Sequence, residues 1–257
     1  MDPSIPLFSI ITVCLNEPQL ERTCESIVNQ TFQGFEWIVI DGGSNDTTLE
    51  IFDKYKSRIN YFVSEPDGGI YFGMNHGIKK SQGAWIQFLN AGDCFSQNTV
   101  LESVSKFIVE YSKYVDVIYG NYVISDGQYF RIMQTPEITN KDSLFNKMTH
   151  HETCFFKKIL FEKYGPYDTS YRILADWAFA LTLCAKHQCK FCKIDLPILL
   201  YDQYGASSMN KEIVFRELED IRSCFFTPEE ILTRKRKQAL QVCKLLREKI
   251  RLLLGKT

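Results

Sequence analysis

The sequence predicts an α/β protein with a mostly parallel central sheet flanked by helices and a helical extension at the C-terminus. Three observations predict it. Apolar, β-branched runs of strand length alternate with stretches of helical spacing through the first half of the chain. Three of those runs stop abruptly in polar residues, at Asn16/Glu17, at Asp41 and at Asn90/Asp93. From Glu229 onward one long helical stripe is rich in Lys and Arg.

Phe8 to Leu15 reads as a buried parallel strand bounded by Asn16, Glu17 and Pro18. Leu20, Cys24, Ile27 and Val28 then fall at helical spacing within residues 18–31. Glu36 to Ile40 is a second strand, stopped by Asp41-Gly42-Gly43-Ser44. Asn45-Asp46-Thr47-Thr48 offers cap residues for a helix through Tyr55. Ile59 to Val63 is the third strand. A glycine-bearing turn at Asp67-Gly68-Gly69 opens a short helix that carries Asn75, and Trp85 to Leu89 is the fourth strand. Parallel strands joined by right-handed crossovers put their polar ends on one edge, where open α/β sheets hold ligands.

Residues 97–113 read as a helix and Val115 to Tyr119 as a strand, whereas 121–148 has no clear periodicity. Polar residues at 149–153 precede a strand that includes Phe155 and Phe156. Short helices follow at Ile159–Tyr164 and Leu174–Ala185, the second with Asp176 in its first turn. Phe191 to Ile194 reads as a short strand, and Tyr204 to Ser208 as a loop. The pattern predicts a domain over 1–210, in two halves that meet near residue 120, then an extension over 211–257.

Composition narrows the partners. The 257 residues are 45% hydrophobic and carry a formal net charge of −1, which gives no general attraction to nucleic acid. The charge is unevenly distributed. Residues 234–257 hold nine Lys/Arg and one Glu, leaving 21 basic and 30 acidic residues in 1–233, a net of −9. A basic tail on an acidic body points to an anionic surface. Ala239, Cys243, Leu246, Ile250 and Leu253 form one helical face flanked by Arg247 and Lys249. That pattern suits a membrane interface, and equally packing on the protein's own domain or a homodimer. Nine scattered cysteines in a chain with a full core suggest a reducing compartment. Asp2 and the lack of a positive n-region predict no signal peptide. No apolar run reaches the ~18 residues a membrane span needs.

The segments Ser9-Ile10-Ile11-Thr12-Val13, Trp37 to Asp46, Ser64 to Tyr71, Met74 to Ile78 and Phe88-Leu89-Asn90-Ala91-Gly92-Asp93 together resemble the family 2 inverting glycosyltransferases of the GT-A fold. The resemblance is strongest to bacterial enzymes that extend lipid-linked O-antigen or exopolysaccharide repeat units. It continues more weakly through His151, Ala175-Asp176 and Gly205 to Ser208. It implies a UDP-sugar donor, a polyprenyl-diphosphate-linked acceptor, Mn²⁺ or Mg²⁺, and work at the cytoplasmic face of the inner membrane. It further implies that Thr12, Asn16 and Glu17 lie near the nucleoside, Asp41 near the uracil, and Asp67, Asn75, Asn90 and Ala91 around the nucleotide and sugar. Asp93 is the implied metal ligand, Asp176 the catalytic base, and His151 an acceptor-side or metal-side residue. Asn90 and Gly92 stand where many members carry Asp, so the metal rests on Asp93, and Ala178 stands where relatives often carry a second acid.

The chemistry needs those residue types. A divalent cation stabilises the leaving diphosphate as a Lewis acid, and a carboxylate takes the proton of the acceptor hydroxyl. Two other readings compete. A nucleotidyltransferase would want a basic residue after the first strand, and residues 14–20 have none. A non-catalytic sugar-binding member of the fold would not need both Asp93 and Asp176. Cys184, His187, Cys189 and Cys192 contain a Cys-x-x-Cys, but a helix-to-strand passage spreads them over different faces and favours buried thiols over zinc.

Overall fold

The computed structural model describes residues 5–125, 128–145, 150–201 and 210–254, with the helix but not the side chains at 241–242 and 248–254. It has two compact units, 1–214 and 215–257.

The first unit is organised on β1 (Phe8–Cys14), buried at all seven positions. It is covered on both sides within the sheet. β2 (Phe35–Asp41) runs parallel to it from Phe8↔Phe35 to Cys14↔Asp41, and β4 (Trp85–Phe88) runs parallel on the other side from Phe8↔Trp85 to Ile11↔Phe88. β3 (Tyr61–Ser64) extends the parallel set outward, with Ser64 beside Asp41. Helices cover both faces. From α1 (Leu20–Val28), Leu20, Cys24 and Ile27 join a core that holds Phe8, Ile10, Trp37 and Val39. Val100, Leu101, Val104 and Ile108 of α4 (Val100–Tyr111) join the same core. α2 (Thr48–Tyr55) packs on α1, and α3 (Ile70–Lys80) packs on β1 and β2. Phe8, Ile10 and Phe155 are fully buried, each contributing about 1.5–3 kcal/mol.

Beyond β4 the sheet becomes mixed. Its order is β3-β2-β1-β4-β8-β6-β9-β5, with β7 paired to β6. β8 (Cys154–Lys157) lies antiparallel between β4 and β6 (Val117–Ser125), and β9 (Phe191–Tyr201) runs parallel to β6. β5 (Cys94–Phe95) pairs antiparallel with β9, and β7 (Phe130–Met133) with β6. Short helices α5 (Lys158–Tyr164) and α6 (Ala175–Leu181) follow β8, and α6 runs into a π-helical turn over Thr182–Lys186.

Several boundaries differ from the sequence reading for identifiable reasons. The third strand starts at Tyr61, because Lys56–Arg58 is a 3-10 turn and Asn60 pairs with the backbone of Trp37 first. β7 is exposed at every position, so it carries no alternation to read. β9 was expected to stop at Ile194. It continues through Pro197, where the register with β6 shifts between Tyr119 and Tyr122 and accommodates the missing donor.

One consequence governs the site. Because β8 is antiparallel to β4, its beginning lies beside the end of β4. Gln87 pairs with Phe155. The 3-10 turn His151–Thr153 therefore stands next to Asn90.

The second unit holds most of α7 (Lys211–Phe225) together with α8 (Pro228–Leu254). α8 opens on a capping box: Thr227 Oγ1 accepts from the Glu230 N–H at 3.2 Å, and Glu230 Oε2 accepts from the Thr227 N–H at 2.7 Å. Among the described residues no helix is long and apolar enough to cross a membrane.

Candidate active site

The site begins where β4 ends. The chain follows β1 for three more residues, with Leu89 N–H donating to Ile11 at 2.9 Å and Ala91 N–H to Val13 at 3.1 Å. It then turns, and Asp93 N–H donates back to the Asn90 carbonyl at 3.1 Å. Gly92 takes φ +98° in this turn. A side chain there would be strained, which is a backbone reason for glycine at this turn. Asp93 is 6% exposed.

A chain of hydrogen bonds runs from this turn into the second half. Asn90 Nδ2 lies 3.1 Å from His151 Nε2 and donates to Glu152 Oε1 at 3.3 Å. His151 Nδ1 lies 3.2 Å from Asp176 Oδ2. The other oxygen, Asp176 Oδ1, accepts from the Tyr71 hydroxyl at 2.6 Å. Asn90, His151 and Asp176, named separately in the sequence, are thus one connected group. Two members were missed. Glu152 lies inside the polar run before β8, a signal the sequence carried, and Tyr71 sits at the start of α3.

Electrostatics sets the charge of His151. Burial disfavours its cation, but the carboxylates of Glu152 and Asp176, with a smaller contribution from Asp93, outweigh burial and raise its pKa to about 9. As an imidazolium it donates from Nδ1 to Asp176 and from Nε2 to Glu152, 3.2 Å away. Both nitrogens then face carboxylates. Because the folded value lies above the ordinary 6.5, the stabilisation is full below pH 6.5 and is lost as pH rises through 9. Thermal melting should therefore weaken between those pH values in the native chain and change less in His151→Gln. Parallel curves for the two proteins would contradict this charge assignment. His150 behaves oppositely: burial lowers its pKa, and its ring lies 4.4 Å from Tyr122 and 4.6 Å from Tyr201, centroid to centroid.

Several residues expected around the nucleotide are committed to the protein. Thr12 lies inside β1 rather than at its end, and its hydroxyl accepts from Trp37 Nε1 at 3.0 Å. Asp41 is fully buried. Its carboxylate accepts from the N–H groups of Gly43 and Ser44 and from the hydroxyls of Ser44 and Ser64. These bonds fold the loop after β2 around the carboxylate. Asn75 uses both ends of its amide on the backbone of Tyr167, at 2.8 and 2.9 Å. It clamps α3 to the turn before α6, with one N–H and one lone pair of the amide left over.

The others remain at the edge. Asn16, exposed and at φ +50°, donates its N–H to Ser44 Oγ and accepts from Asn45 N–H, tying the β1 and β2 loops together. Glu17 donates its N–H to Thr48 Oγ1. Asp67 is exposed, and its carboxylate accepts from the Gly69 N–H at 2.7 Å. Gly205 to Ser208 lies outside the described residues. Among the described residues no group of three or more His, Cys, Asp or Glu is arranged to hold a metal. His187, from the Cys-rich stretch, stacks on Tyr164 at 3.7 Å.

Comparison with known proteins agrees with the fold. The family model described as "Glycosyl transferase family 2" matches residues 9–165. A Mycobacterium bovis protein described as a PGL/p-HBAD biosynthesis glycosyltransferase is 31% identical over 218 residues, 82% of this chain and 84% of that protein. Staphylococcus aureus TarS, solved with UDP, superposes with a TM-score of 0.64 at 20% identity over 83% of this chain, and the match spans 64% of the TarS chain. The mannosyltransferase PcManGT of Pyrobaculum calidifontis, solved with GDP-Man and Mn²⁺, gives 0.61 at 17% identity, covering 81% of this chain and 61% of that one. A mixed sheet beside whose edge Asn90, Glu152, His151 and Asp176 are linked, a matching family model and a relative alike over most of both chains lead to one conclusion: the chain belongs to glycosyl transferase family 2 and is a GT-A-fold glycosyltransferase.

Proposed function

We propose that this enzyme is an inverting hexosyltransferase that moves a hexose from a UDP-sugar to a saccharide carried on polyprenyl diphosphate, in the synthesis of a bacterial surface polysaccharide. The observation that carries the reading is the bond chain Asn90–Glu152–His151–Asp176, which links the end of β4, where Asp93 turns, to the first turn of α6. The nucleotide-sugar donor draws support from the fold relatives solved with UDP, with UDP-GlcNAc and with GDP-Man.

In this reading Asp176 is the general base. Its side chain is 3% exposed and both oxygens are bonded, so its position is fixed before the acceptor arrives. The acceptor hydroxyl attacks the anomeric carbon, forming the new C–O bond as the bond to the diphosphate breaks. Its proton passes to Asp176. No enzyme nucleophile takes part, and the anomeric centre inverts. Cationic His151 balances the buried carboxylates of Glu152 and Asp176 while Asp176 is ionised.

The residues present fit a hard divalent cation. Asn90 Oδ1 is buried without a hydrogen-bond partner, and Asp93 closes the same turn. Two oxygen ligands make a sparse site, which the oxygens of a diphosphate would complete. Mn²⁺ or Mg²⁺ held there would neutralise charge on the leaving group. The test is thermal stabilisation by a panel of UDP-, GDP- and dTDP-sugars, with and without Mn²⁺. One UDP-hexose should stabilise the protein, and more strongly with metal. Absence of any nucleotide effect would overturn the reading.

The C-terminal unit is proposed as the membrane contact. Leu240, Leu245 and Leu246 are each more than half exposed on α8, among Arg234 to Lys237, Lys244 and Arg247. Apolar side chains between cations suit an anionic lipid interface. Deleting 234–257 should abolish sedimentation with anionic vesicles and spare transfer to a soluble acceptor analogue. A truncated protein that still sediments would contradict this assignment.

A further inference from the structure

We propose that Tyr71 is a positioning residue for Asp176 and that it couples the donor-side turn at Asp67–Gly69 to the base. This rests on the assignment of Asp176 as the base.

Tyr71 is 4% exposed, and its hydroxyl meets two acceptors, the Ile173 carbonyl at 2.5 Å and Asp176 Oδ1 at 2.6 Å. A phenol has one hydrogen. While Asp176 is ionised, the two acceptors share that hydrogen. Once Asp176 holds the acceptor's proton, both contacts can be complete, with Tyr71 donating to Ile173 and accepting from the carboxyl. On the Tyr71 side the cradle is complete only after proton transfer, while cationic His151 on the other oxygen favours the ionised carboxylate, so the phenol's contribution is the one that grows as the proton arrives. Burial and the charge of Asp176 hold the Tyr71 phenol well above its ordinary pKa, so Tyr71 stays neutral and is not itself the base.

The coupling follows from where Tyr71 sits. It is the second residue of α3, directly after Gly69, whose φ is +122°. Asp67 Oδ1 holds the Gly69 N–H, and the Gly69 carbonyl accepts from Phe72 and Gly73 at 2.9 and 3.2 Å. The conformation of the exposed turn therefore sets the first turn of α3 and the position of the phenol. One helical turn on, Asn75 bonds the Tyr167 backbone from the same side of α3. Helix α3 is pinned to the acceptor half at two points, and only Tyr71 reaches a group with a role in the reaction.

Tyr71→Phe keeps the ring and removes the hydroxyl. Its kcat should fall about 10- to 100-fold, as expected for losing a hydrogen bond that becomes complete as the proton is transferred, with the donor KM within twofold and folding retained by melting. A purely structural role would move KM and melting together, and unchanged kcat overturns the proposal. The coupling is read by a double-mutant cycle with Gly69→Ala. A Cβ at Gly69 meets nothing within 4 Å, so the substitution acts through its backbone conformation. Non-additive losses in kcat support coupling, and additive losses overturn it. Asp176→Asn separates the two ideas. If that variant turns over normally, the base assignment fails whatever Tyr71 does. If it is inactive while Tyr71→Phe is not, only the positioning role fails.

Discussion

Asp176→Asn should lower kcat by about 10²- to 10⁴-fold, the contribution of a positioned general base, while leaving the donor KM near its native value. The substitution is close to isosteric, so Tyr71 can still donate to the retained oxygen. The new amide nitrogen faces His151 Nδ1, a donor opposite a donor. His151 must then give up its proton or its contact, and melting should fall by about 1–3 kcal/mol at neutral pH. Both effects have one cause, the loss of an acceptor that the site is built to hold. Steady-state kinetics and a thermal melt on the same preparation check them. Turnover within twofold of the native enzyme would remove Asp176 from the mechanism.

Asp93→Asn should eliminate the metal-dependent part of UDP-sugar binding and lower kcat about 100-fold or more, in line with losing a principal stabiliser of developing negative charge. The expectation follows from how little else is there. Among the described residues no group of three or more His, Cys, Asp or Glu is arranged to hold a metal, and both ring nitrogens of His151 face carboxylates. Asn90 can add a neutral oxygen but no charge. In thermal-shift measurements the native protein should gain more from UDP-sugar with Mn²⁺ than without it. The variant should give the same shift in both. A full Mn²⁺ effect in Asp93→Asn would place the cation elsewhere.

The sequence was most informative where secondary structure alone decides position. β1, β2 and β4 are buried through nearly every residue, so their apolar runs are continuous, and the polar residue that ends each marks the sheet edge. That pattern leads to Asn16, Asp41 and Asn90 without any tertiary information. It does not say which way a side chain turns. Asp41 and Asn90 both end parallel strands, yet four donors within its own loop and β3 draw Asp41 inward, while Asn90 faces across the sheet to His151. The second half was less legible because its pairings are distant. The position of His151 depends on β8 running antiparallel to β4, which no local signal near residue 151 encodes. Tyr71 and Asp176 are 105 residues apart, and their contact exists only once α3 and α6 have packed. Asn75 shows another case: a polar residue in a glycosyltransferase-like motif whose amide also holds the backbone of Tyr167, a contact the motif does not announce.

The most direct test of the account is the anomeric configuration of the first-formed product. The enzyme would be incubated with the UDP-hexose that stabilises it and a soluble acceptor analogue, and the anomeric proton coupling read by NMR before any equilibration. A single displacement assisted by Asp176, with no enzyme nucleophile, predicts a product of inverted configuration from an α-linked donor. A product that retains the donor's configuration would contradict the mechanism and require a covalent or front-face step that the arrangement around Asp176 was not proposed to support.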